Sequence, residues 1–281
     1  MKFHNKAAEI FIPSGLDEQK ALSQTTHLCI AAHHDDLEIM AYAPIAECYG
    51  NSSKHFSGVV VTDGGGSPRS GIFADYTDEA MKKTRANEQK LAANIGYYSA
   101  QMLLAYPSGE VKNPNNSVLV EELKNIILAC SPDVLYTHNL ADKHDTHIGV
   151  VLQTIRALRE IEPEKRPKKV IAMEVWRALD WLCDDDKLMF DTGAYPNISA
   201  ALIGVFDSQI SGGKRYDLAI RGRWLANATF FDSHSVDNFE YASIGMDITD
   251  LINSDAAPAQ FISAYLDRFK NDVITRIEKF S

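Results

Sequence analysis

Hydrophobic residues in the first half of the chain fall into short apolar runs that alternate with segments of helical periodicity. The runs have the length of β-strands, and the segments between them place apolar residues three to four positions apart. The pattern predicts strands over 26–32, 56–62, 100–105, 132–137 and 170–178, and helices over 37–49, 77–96, 117–130 and 145–159. Because strands and helices that alternate in this way form right-handed crossovers, we expect an α/β fold with a mostly parallel sheet between helical layers.

The second half of the chain departs from this alternation. Residues 181–190 predict a strand, an acidic turn and a second strand, since three successive aspartates are typical of a solvated turn. Helices are predicted over 198–206, 216–230 and 257–280. The last helix has apolar residues close to every fourth position, which favours packing on the body of the protein over an oligomer contact. Because the sequence has no repeat and no linker, we expect residues 1–281 to form one domain.

Composition narrows the range of partners. The chain has 281 residues, 45% of them hydrophobic, and a formal net charge of −10. Without a dense Lys/Arg cluster, this charge disfavours nucleic acid or an anionic membrane as the main partner. No apolar stretch approaches the roughly 18 to 20 residues that span a bilayer, and the first residues lack the apolar core of a signal peptide. The four cysteines are scattered without a CxxC spacing, so we expect reduced thiols in a cytoplasmic protein.

Two clusters of imidazole and carboxylate groups follow predicted strands. The strand over 26–32 ends at His33, His34, Asp35 and Asp36, and the strand over 132–137 is followed by the segment 142–147, Asp-Lys-His-Asp-Thr-His. Buried charges must be paired or must bind a metal. The carboxyl ends of parallel strands are where α/β proteins bind ligands. The two clusters therefore predict one divalent metal site.

The spacing within the clusters is suited to metal-assisted hydrolysis. A catalytic zinc needs about three protein ligands and one open position. His33 and Asp36 lie three residues apart across a turn, and His144 and His147 lie three apart at the start of a helix, so each pair can converge. His33 and Asp36, together with one imidazole from His144 or His147, would form a His2Asp site. A carboxylate is then left over as a base and a histidine as oxyanion support or acid, as amide or ester hydrolysis requires.

The residues alone leave several alternatives open. Each of His33, Asp35 and Asp36 can be a structural cap of the following helix, and the spacing does not decide which aspartate binds the metal. Two histidines and one carboxylate also suit Fe2+ in a non-haem oxygenase, although the βαβ pattern disfavours that class by fold analogy. A nucleotide-binding Rossmann protein is disfavoured because the glycines after Asp63 do not form a GxGxxG motif.

Residues around both clusters resemble motifs of the LmbE-like (PIG-L) zinc-dependent N-deacetylases. The AHPDD motif of that family is similar to Ala32-His33-His34-Asp35-Asp36, and its D-x-H-P-D-H segment is similar to Asp142-Lys143-His144-Asp145-Thr146-His147. Its TxG turn and RxxE helix motif resemble Thr62-Asp63-Gly64 and Arg85-Ala86-Asn87-Glu88. The resemblance covers residues 26–150 well, where the catalytic motifs lie, and extends more loosely to an SQ loop at Asp207-Ser208-Gln209.

This resemblance implies a three-layer αβα Rossmann-like sandwich that removes acetyl groups from N-acetylglucosamine-type sugars. By position in the motifs, it implies that His33, Asp36 and His147 bind zinc. It implies that Asp35 is the general base, and that His144 supports the oxyanion or protonates the leaving amine. The expected partner is therefore a small-molecule amino sugar or its conjugate, with Zn2+ as the cofactor and Fe2+ or another divalent metal as the alternative.

Three further positions are candidates for substrate contact. Arg85 resembles the helix arginine near the substrate in the family, and a salt bridge to Glu88 is the structural alternative. Asp63 is expected at the mouth of the site, or simply in a tight turn with the following glycines. Ser108 stands where relatives have an aspartate that can help to hold the sugar. The aromatic residues Trp176, Tyr216 and Trp224 can stack on a sugar ring or belong to the core.

The chain also departs from the family pattern. His34 replaces the proline between a metal ligand and the base, and Thr146 replaces the aspartate that orients His144. Without that carboxylate His144 should be less readily protonated, unless Asp142 or Asp145 takes its place. A catalytically impaired member that binds zinc or sugar is therefore the alternative to an active enzyme. The sequence leaves open the sugar, its aglycone, the acyl group and the oligomeric state.

Overall fold

A computed structural model describes residues 1–281 and contains one eight-stranded sheet. The strands are β1 (Glu9–Phe11), β2 (His27–Ala31), β3 (Phe56–Thr62), β4 (Ala100–Tyr106), β5 (Val134–His138), β6 (Lys169–Met173), β7 (Leu188–Asp191) and β8 (Ala242–Asp247). Their order across the sheet is β1-β4-β3-β2-β5-β6-β8-β7. The strands β2 and β5, which precede the two imidazole–carboxylate clusters, are neighbours in the middle of the sheet.

The sheet is mixed, which corrects the prediction of a mostly parallel sheet. The five central strands, from β4 to β6, pair in parallel, as the predicted crossovers require. At the edges, β1 pairs antiparallel with β4, and β8 pairs antiparallel with both β6 and β7. The hydrophobic pattern does not predict β1 and β8, and these strands account for the antiparallel pairings.

Helices lie on both faces of the sheet. They are α1 (Glu18–Ser23), α2 (Asp36–Met40), α3 (Tyr42–Cys48), α4 (Asp78–Ile95), α5 (Ser108–Val111), α6 (Ser117–Cys130), α7 (Asp145–Arg159), α8 (Pro196–Gly204), α9 (Asp207–Ile210), α10 (Tyr216–Thr229), α11 (Thr249–Ile252) and α12 (Pro258–Phe280). The single helix predicted over 37–49 is interrupted at Ala41, whose φ of −115° is not helical. Pro44 explains the break, because its ring cannot follow the preceding helical turn.

Two other predicted elements differ from the structure. The strand predicted over 170–178 ends at Met173, and the chain beyond it leaves the sheet to line a cavity. Of the hairpin predicted over 181–190 only β7 forms, since Trp181 and Leu182 lie in a turn before a short 3-10 helix at Asp184–Asp186. The three aspartates thus lie in a turn-like segment, as predicted.

The sheet separates two apolar clusters, and β2 contributes to both. Leu28 and Ile30 pack in one cluster, whereas Cys29 and Ala31 pack in the other. All of these side chains are fully buried, because helices cover both faces of the central strands. This double burial explains why the sequence shows a continuous apolar run here and why the first polar residues stand at the end of the strand. All four cysteines are free thiols.

The C-terminal helix α12 only partly follows the prediction. Its first turns pack on the body through Phe261, Ile262 and Tyr265. Farther along, Val273 and Ile277 belong to an exposed apolar face. No helix of the protein combines the length and the apolar character needed to cross a membrane.

Candidate metal centre and catalytic cavity

A tight turn between β2 and α2 brings the first cluster together. Asp35 lies in the left-handed region of backbone conformation, with φ of 88°, which aspartate tolerates better than most residues. This turn lets the backbone N–H of His33 donate to Oδ2 of Asp36 at 2.7 Å. Asp36 is the first residue of α2 and is buried, so its carboxylate is held at the end of the strand.

Three potential ligand atoms from both clusters form a nearly equilateral triangle. Nδ1 of His33 lies 3.2 Å from Oδ2 of Asp36 and 3.1 Å from Nε2 of His147, and the third side, between His147 and Asp36, is 3.3 Å. Zinc bonds of about 2.0 to 2.1 Å give a tetrahedral edge of about 3.3 Å. The donor set and its spacing therefore fit the bond lengths of a zinc ion.

Asp142 orients the third of these side chains. Its Oδ2 accepts a hydrogen bond from Nδ1 of His147 at 3.2 Å, so the lone pair on Nε2 faces Asp36 and His33. A carboxylate behind a ligating imidazole is typical of zinc sites. Burial lowers the pKa of His147, but the charge of Asp36 and the bonds to Asp142 and Asp36 outweigh it and raise that pKa to about 9. Conversely, burial raises the pKa of Asp36, but the charge of His147 and its bonds hold it well below its usual value.

His138 is a buried histidine beside the triangle that the sequence analysis did not single out. It is the last residue of β5, and its ring stacks on that of His147 with centroids 3.9 Å apart. Its Nε2 accepts a hydrogen bond from the backbone N–H of Ala32 at 2.8 Å, so this nitrogen is not free to bind a metal. His138 therefore supports the turn before His33. The signal that could have found it is its position directly after the strand predicted over 132–137.

Asp35 lies at the same turn but is held by different partners. Its Oδ2 lies 3.3 Å from a guanidinium nitrogen of Arg85, which also donates to the backbone carbonyl of His34. The backbone N–H of Asp35 donates to Oε1 of Gln89 at 3.2 Å. Burial raises the pKa of Asp35 to about 7, against the opposing effect of the Arg85 charge. Asp35 is thus a carboxyl group at the cavity wall that is not part of the triangle.

His144 lies next to the triangle and caps α7. Its Nδ1 accepts the backbone N–H of Thr146 at 3.3 Å, which leaves the hydrogen on Nε2. The ring stacks on His147 and packs edge-on against His33, with centroids 4.6 and 4.7 Å away. Burial lowers the pKa of His144 to about 4, and the charges of His33 and His147 act in the same direction. Asp142 accepts the backbone N–H of His144 at 3.1 Å but does not bond its side chain. Asp142 therefore does not take the place of the aspartate that the family has at position 146.

A cavity of about 600 Å³ opens over these groups. Its wall includes His33, Asp35, Asp36 and His144, together with the candidate substrate residues Arg85, Asp63, Ser108, Trp176, Tyr216 and Trp224. His147 and His34 are buried behind this wall. The wall therefore combines a face that carries candidate metal ligands with an aromatic face that comes from the second half of the chain.

The candidate substrate residues differ in how they are held. Arg85 lines the cavity and contacts Asp35, and its distance of 3.9 Å from Glu88 gives the salt bridge named as the structural alternative. Asp63 accepts the backbone N–H of Gly65 at 3.0 Å and pairs with Lys82 at 3.2 Å, which places it in the tight turn as well as at the cavity. Ser108 lines the cavity at the start of α5.

A buried anchor holds the SQ segment at the cavity. The carboxylate of Glu88 accepts the backbone N–H of Ser208 at 2.7 Å and its hydroxyl at 2.6 Å. The next residue, Gln209, lines the cavity. The RxxE and SQ motifs are thus joined by direct hydrogen bonds. Both motifs are visible in the sequence, but no local pattern indicates this contact, which links residues 120 positions apart.

His34, which replaces the family's proline, is buried with its Nδ1 unpartnered. Gly64 faces it, because a Cβ at Gly64 would lie 3.0 Å from that nitrogen. Gly64 also has a left-handed φ of 73°, so the turn after β3 needs glycine here for its backbone and for the space that His34 occupies. This contact supports the structural interpretation of the turn that contains Asp63.

Comparison with known proteins agrees with these observations. Residues 28–158 match the family described as PIG-L: GlcNAc-PI de-N-acetylase. This segment contains both clusters, and its match to the PIG-L (LmbE-like) family confirms the resemblance stated from the sequence. No curated protein matches the full sequence.

Solved structures share the fold at low sequence identity. The N,N'-diacetylchitobiose deacetylase from Pyrococcus horikoshii has a TM-score of 0.63 and 15% identity, with 83% of this chain and 86% of that chain covered. GalB, the 4-carboxy-2-hydroxymuconate hydratase from Pseudomonas putida KT2440, has a TM-score of 0.60 and 17% identity, with 83% and 100% covered. The A40926 pseudoaglycone deacetylase Dbv21 has a TM-score of 0.56 and 15% identity, with 80% and 97% covered.

Proposed function

We propose that this protein is a metal-dependent hydrolase that removes an N-acetyl group from an N-acetylglucosamine-type amino sugar or its conjugate. The observation that carries the proposal is the triangle of His33, Asp36 and His147, because His33, Asp36 and the carboxyl group of Asp35 line one cavity. The family match over residues 28–158 and the deacetylases among the structural neighbours support the same reaction class.

In this proposal His33, Asp36 and His147 hold the cation, and zinc is the metal whose bond lengths fit their spacing. Fe2+ and other divalent metals accept the same donor types and are the alternatives. When bound, the metal supplies Lewis acidity toward water and toward the amide carbonyl. Asp142 holds His147 in the tautomer that binds a metal.

We assign the proton transfers to Asp35. Its carboxylate lies at the cavity wall next to the ligand Asp36 in sequence, so it can accept a proton from the attacking water. The same carboxyl group can then return the proton to the leaving amine. Arg85 holds this carboxylate in place through the contact of 3.3 Å, which makes Arg85 a positioning residue in our account.

We assign hydrogen bonding of the carbonyl oxygen to His144. Because Nδ1 accepts the backbone N–H of Thr146, the Nε2–H remains available as a donor at the cavity. A preorganised donor of this kind stabilises the charge that develops on the oxygen. The neutral ring provides such a donor without a carboxylate partner, so the replacement of the family aspartate by Thr146 is compatible with activity.

Both halves of the chain line the cavity, which supports our interpretation of residues 1–281 as one deacetylase domain. Trp176, Tyr216 and Trp224 supply an aromatic wall for a sugar ring, and Asp63 and Ser108 supply polar contacts near the first cluster. Cavities of several hundred Å3 with a few polar groups are typical of small-molecule sites. An amino sugar of one or two rings suits this space.

A catalytically impaired protein that binds zinc or sugar is the second candidate. The observation that favours it is the absence of a carboxylate partner for the side chain of His144. The hydratase among the structural neighbours also shows that the fold alone does not select amide hydrolysis. The two candidates differ in whether acetate is released.

The test is metal analysis coupled to an acetate-release assay with N-acetylglucosamine, diacetylchitobiose and N-acetylglucosamine phosphates, with and without a chelator. We expect chelator-sensitive acetate release. Asp35→Asn should retain the metal and lose most of the release, about 10²-fold or more. Sugar binding without any acetate release would favour the impaired member, and release at the wild-type rate by Asp35→Asn would remove Asp35 from the mechanism.

A further inference from the structure

Two lysines flank the aromatic wall of the cavity without a carboxylate partner. The ammonium groups of Lys143 and Lys214 lie 5.9 and 5.1 Å from the ring centroid of Trp176, and all three residues line the cavity. Eight other lysines of the protein form ion pairs, but neither of these two does. In a chain of net charge −10, two unpaired cations at one ring concentrate positive charge there.

The carboxylates of the same wall do not neutralise these lysines. Asp63 pairs with Lys82 at 3.2 Å. Glu174 accepts the backbone N–H of Ile244 at 3.0 Å and forms an ion pair with neither lysine. Asp35 is bound to Arg85, and Asp36 belongs to the metal-binding triangle. The lysines are therefore free to bind an anion that enters the cavity.

The backbone fixes this group relative to the metal centre. The backbone N–H of Trp176 donates to Asp142 at 3.2 Å, and the same carboxylate oxygen holds His147. Lys143 directly precedes His144, in a turn that Asp142 closes through the backbone N–H of His144. Lys214 is held through its backbone N–H, which donates to the carbonyl of Gln209 at 2.7 Å.

Trp176 lies close enough to His144 for one sugar ring to reach both residues. The ring centroid of Trp176 lies 6.1 Å from that of His144 and 6.2 Å from that of Tyr216. A sugar whose acetamide group is at His144 would thus place another of its substituents near Trp176. Ammonium groups bind phosphate and carboxylate through charge-assisted hydrogen bonds.

We propose that Lys143 and Lys214 form an anion subsite over Trp176, and that the ligand of this cavity is an amino sugar that carries a phosphate or carboxylate group. This inference rests on the proposed function, because it takes the ligand to be an amino sugar. It narrows the substrate class from neutral to anionic amino sugars. The subsite binds the substituent and takes no part in the cleavage of the amide.

The test is calorimetric binding of three probes to the metal-loaded protein: glucosamine, glucosamine 6-phosphate and muramic acid. The second and third carry a phosphate and a carboxylate, so they distinguish the two anions. We expect at least one of them to bind about tenfold more tightly than glucosamine. This preference should shrink as NaCl is raised from about 50 to about 500 mM, because salt screens exposed charges.

Variants locate the preference. The double variant K143Q/K214Q should reduce it to less than about twofold, K143R/K214R should retain it, and the exposed Lys83→Gln is the matched control. Equal binding of all three probes, or an unchanged preference in K143Q/K214Q, would overturn the subsite; the latter would locate the anion at the metal or at Arg85. A lysine-dependent preference without acetate release would keep the subsite and remove the proposed reaction. Acetate release without that preference would keep the proposed reaction and remove the subsite.

Discussion

Asp142 and His147 form the hydrogen bond that orients one imidazole of the proposed metal centre. Oδ2 of Asp142 accepts Nδ1–H of His147 at 3.2 Å, and both side chains are buried. The bond fixes the tautomer of the imidazole, so that Nε2 is free to bind a cation. Asp142 also accepts the backbone N–H groups of His144 and Trp176, and it therefore connects the metal centre with the catalytic and the aromatic side of the cavity.

We expect Asp142→Ala to weaken metal binding by about 10- to 100-fold, because the imidazole of His147 loses the partner that orients it. The measurement is competition with a chelator of known affinity. Asp145→Ala, at an exposed position of the same segment, is the matched control and should bind metal like the wild type. Equal affinities in both variants would mean that Asp142 serves the fold and not the metal.

Replacement of His144 should lower the rate of acetate release without changing the metal content. With the donor at Nε2 lost, we expect His144→Ala to lower kcat by about 10²- to 10³-fold while the metal content stays at the wild-type level. The exposed His234→Ala serves as the control. Loss of metal from His144→Ala would instead place His144 among the ligands, in the group that it forms with His33 and His147.

The anchor between Glu88 and Ser208 makes a separate prediction about the SQ segment. In Glu88→Ala the buried N–H and hydroxyl of Ser208 lose their acceptor, at a cost of about 1 to 3 kcal/mol in the free energy of unfolding. We also expect KM to rise, because Gln209 follows Ser208 at the cavity. Denaturant unfolding and acetate kinetics measure the two effects. Glu79→Ala, at an exposed position of the same helix, should change neither, and a similar loss in both variants would rule out the anchor.

Much of the site could be predicted from the sequence because its residues lie at the ends of apolar runs. His33, Asp36 and His147 stand beside strands whose burial is visible as continuous hydrophobicity, and β2 and β5 prove to be neighbours. Contacts such as Glu88 with Ser208 depend on the packing of distant segments, which no local pattern encodes. The strands β1 and β8 were missed because they lie at or next to an edge of the sheet, where pairing with a neighbouring strand defines them more than a local pattern does.

Burial of Glu174 predicts a pH dependence of stability. Burial raises the pKa of Glu174 above its ordinary value of 4.5, against the hydrogen bonds and the Arg223 charge that lower it. The folded protein therefore binds this proton more tightly than the unfolded chain does, and stability falls as the pH rises above about 4.5. Glu174→Gln removes this dependence. As the pH is raised from about 5 to about 8, the unfolding free energy of the wild type should fall relative to that of Glu174→Gln. A difference that does not change with pH would contradict the assignment.

The central claim is that His33, Asp36 and His147 hold one divalent cation while the adjacent Asp35 does not. Elemental analysis after dialysis tests it with two neighbouring and chemically identical substitutions, Asp35→Asn and Asp36→Asn. Asparagine tolerates the left-handed backbone at position 35, so both variants should fold. We predict one metal ion per chain in the wild type and in Asp35→Asn, and little or none in Asp36→Asn. A full complement of metal in Asp36→Asn, or its loss only from Asp35→Asn, would contradict the account.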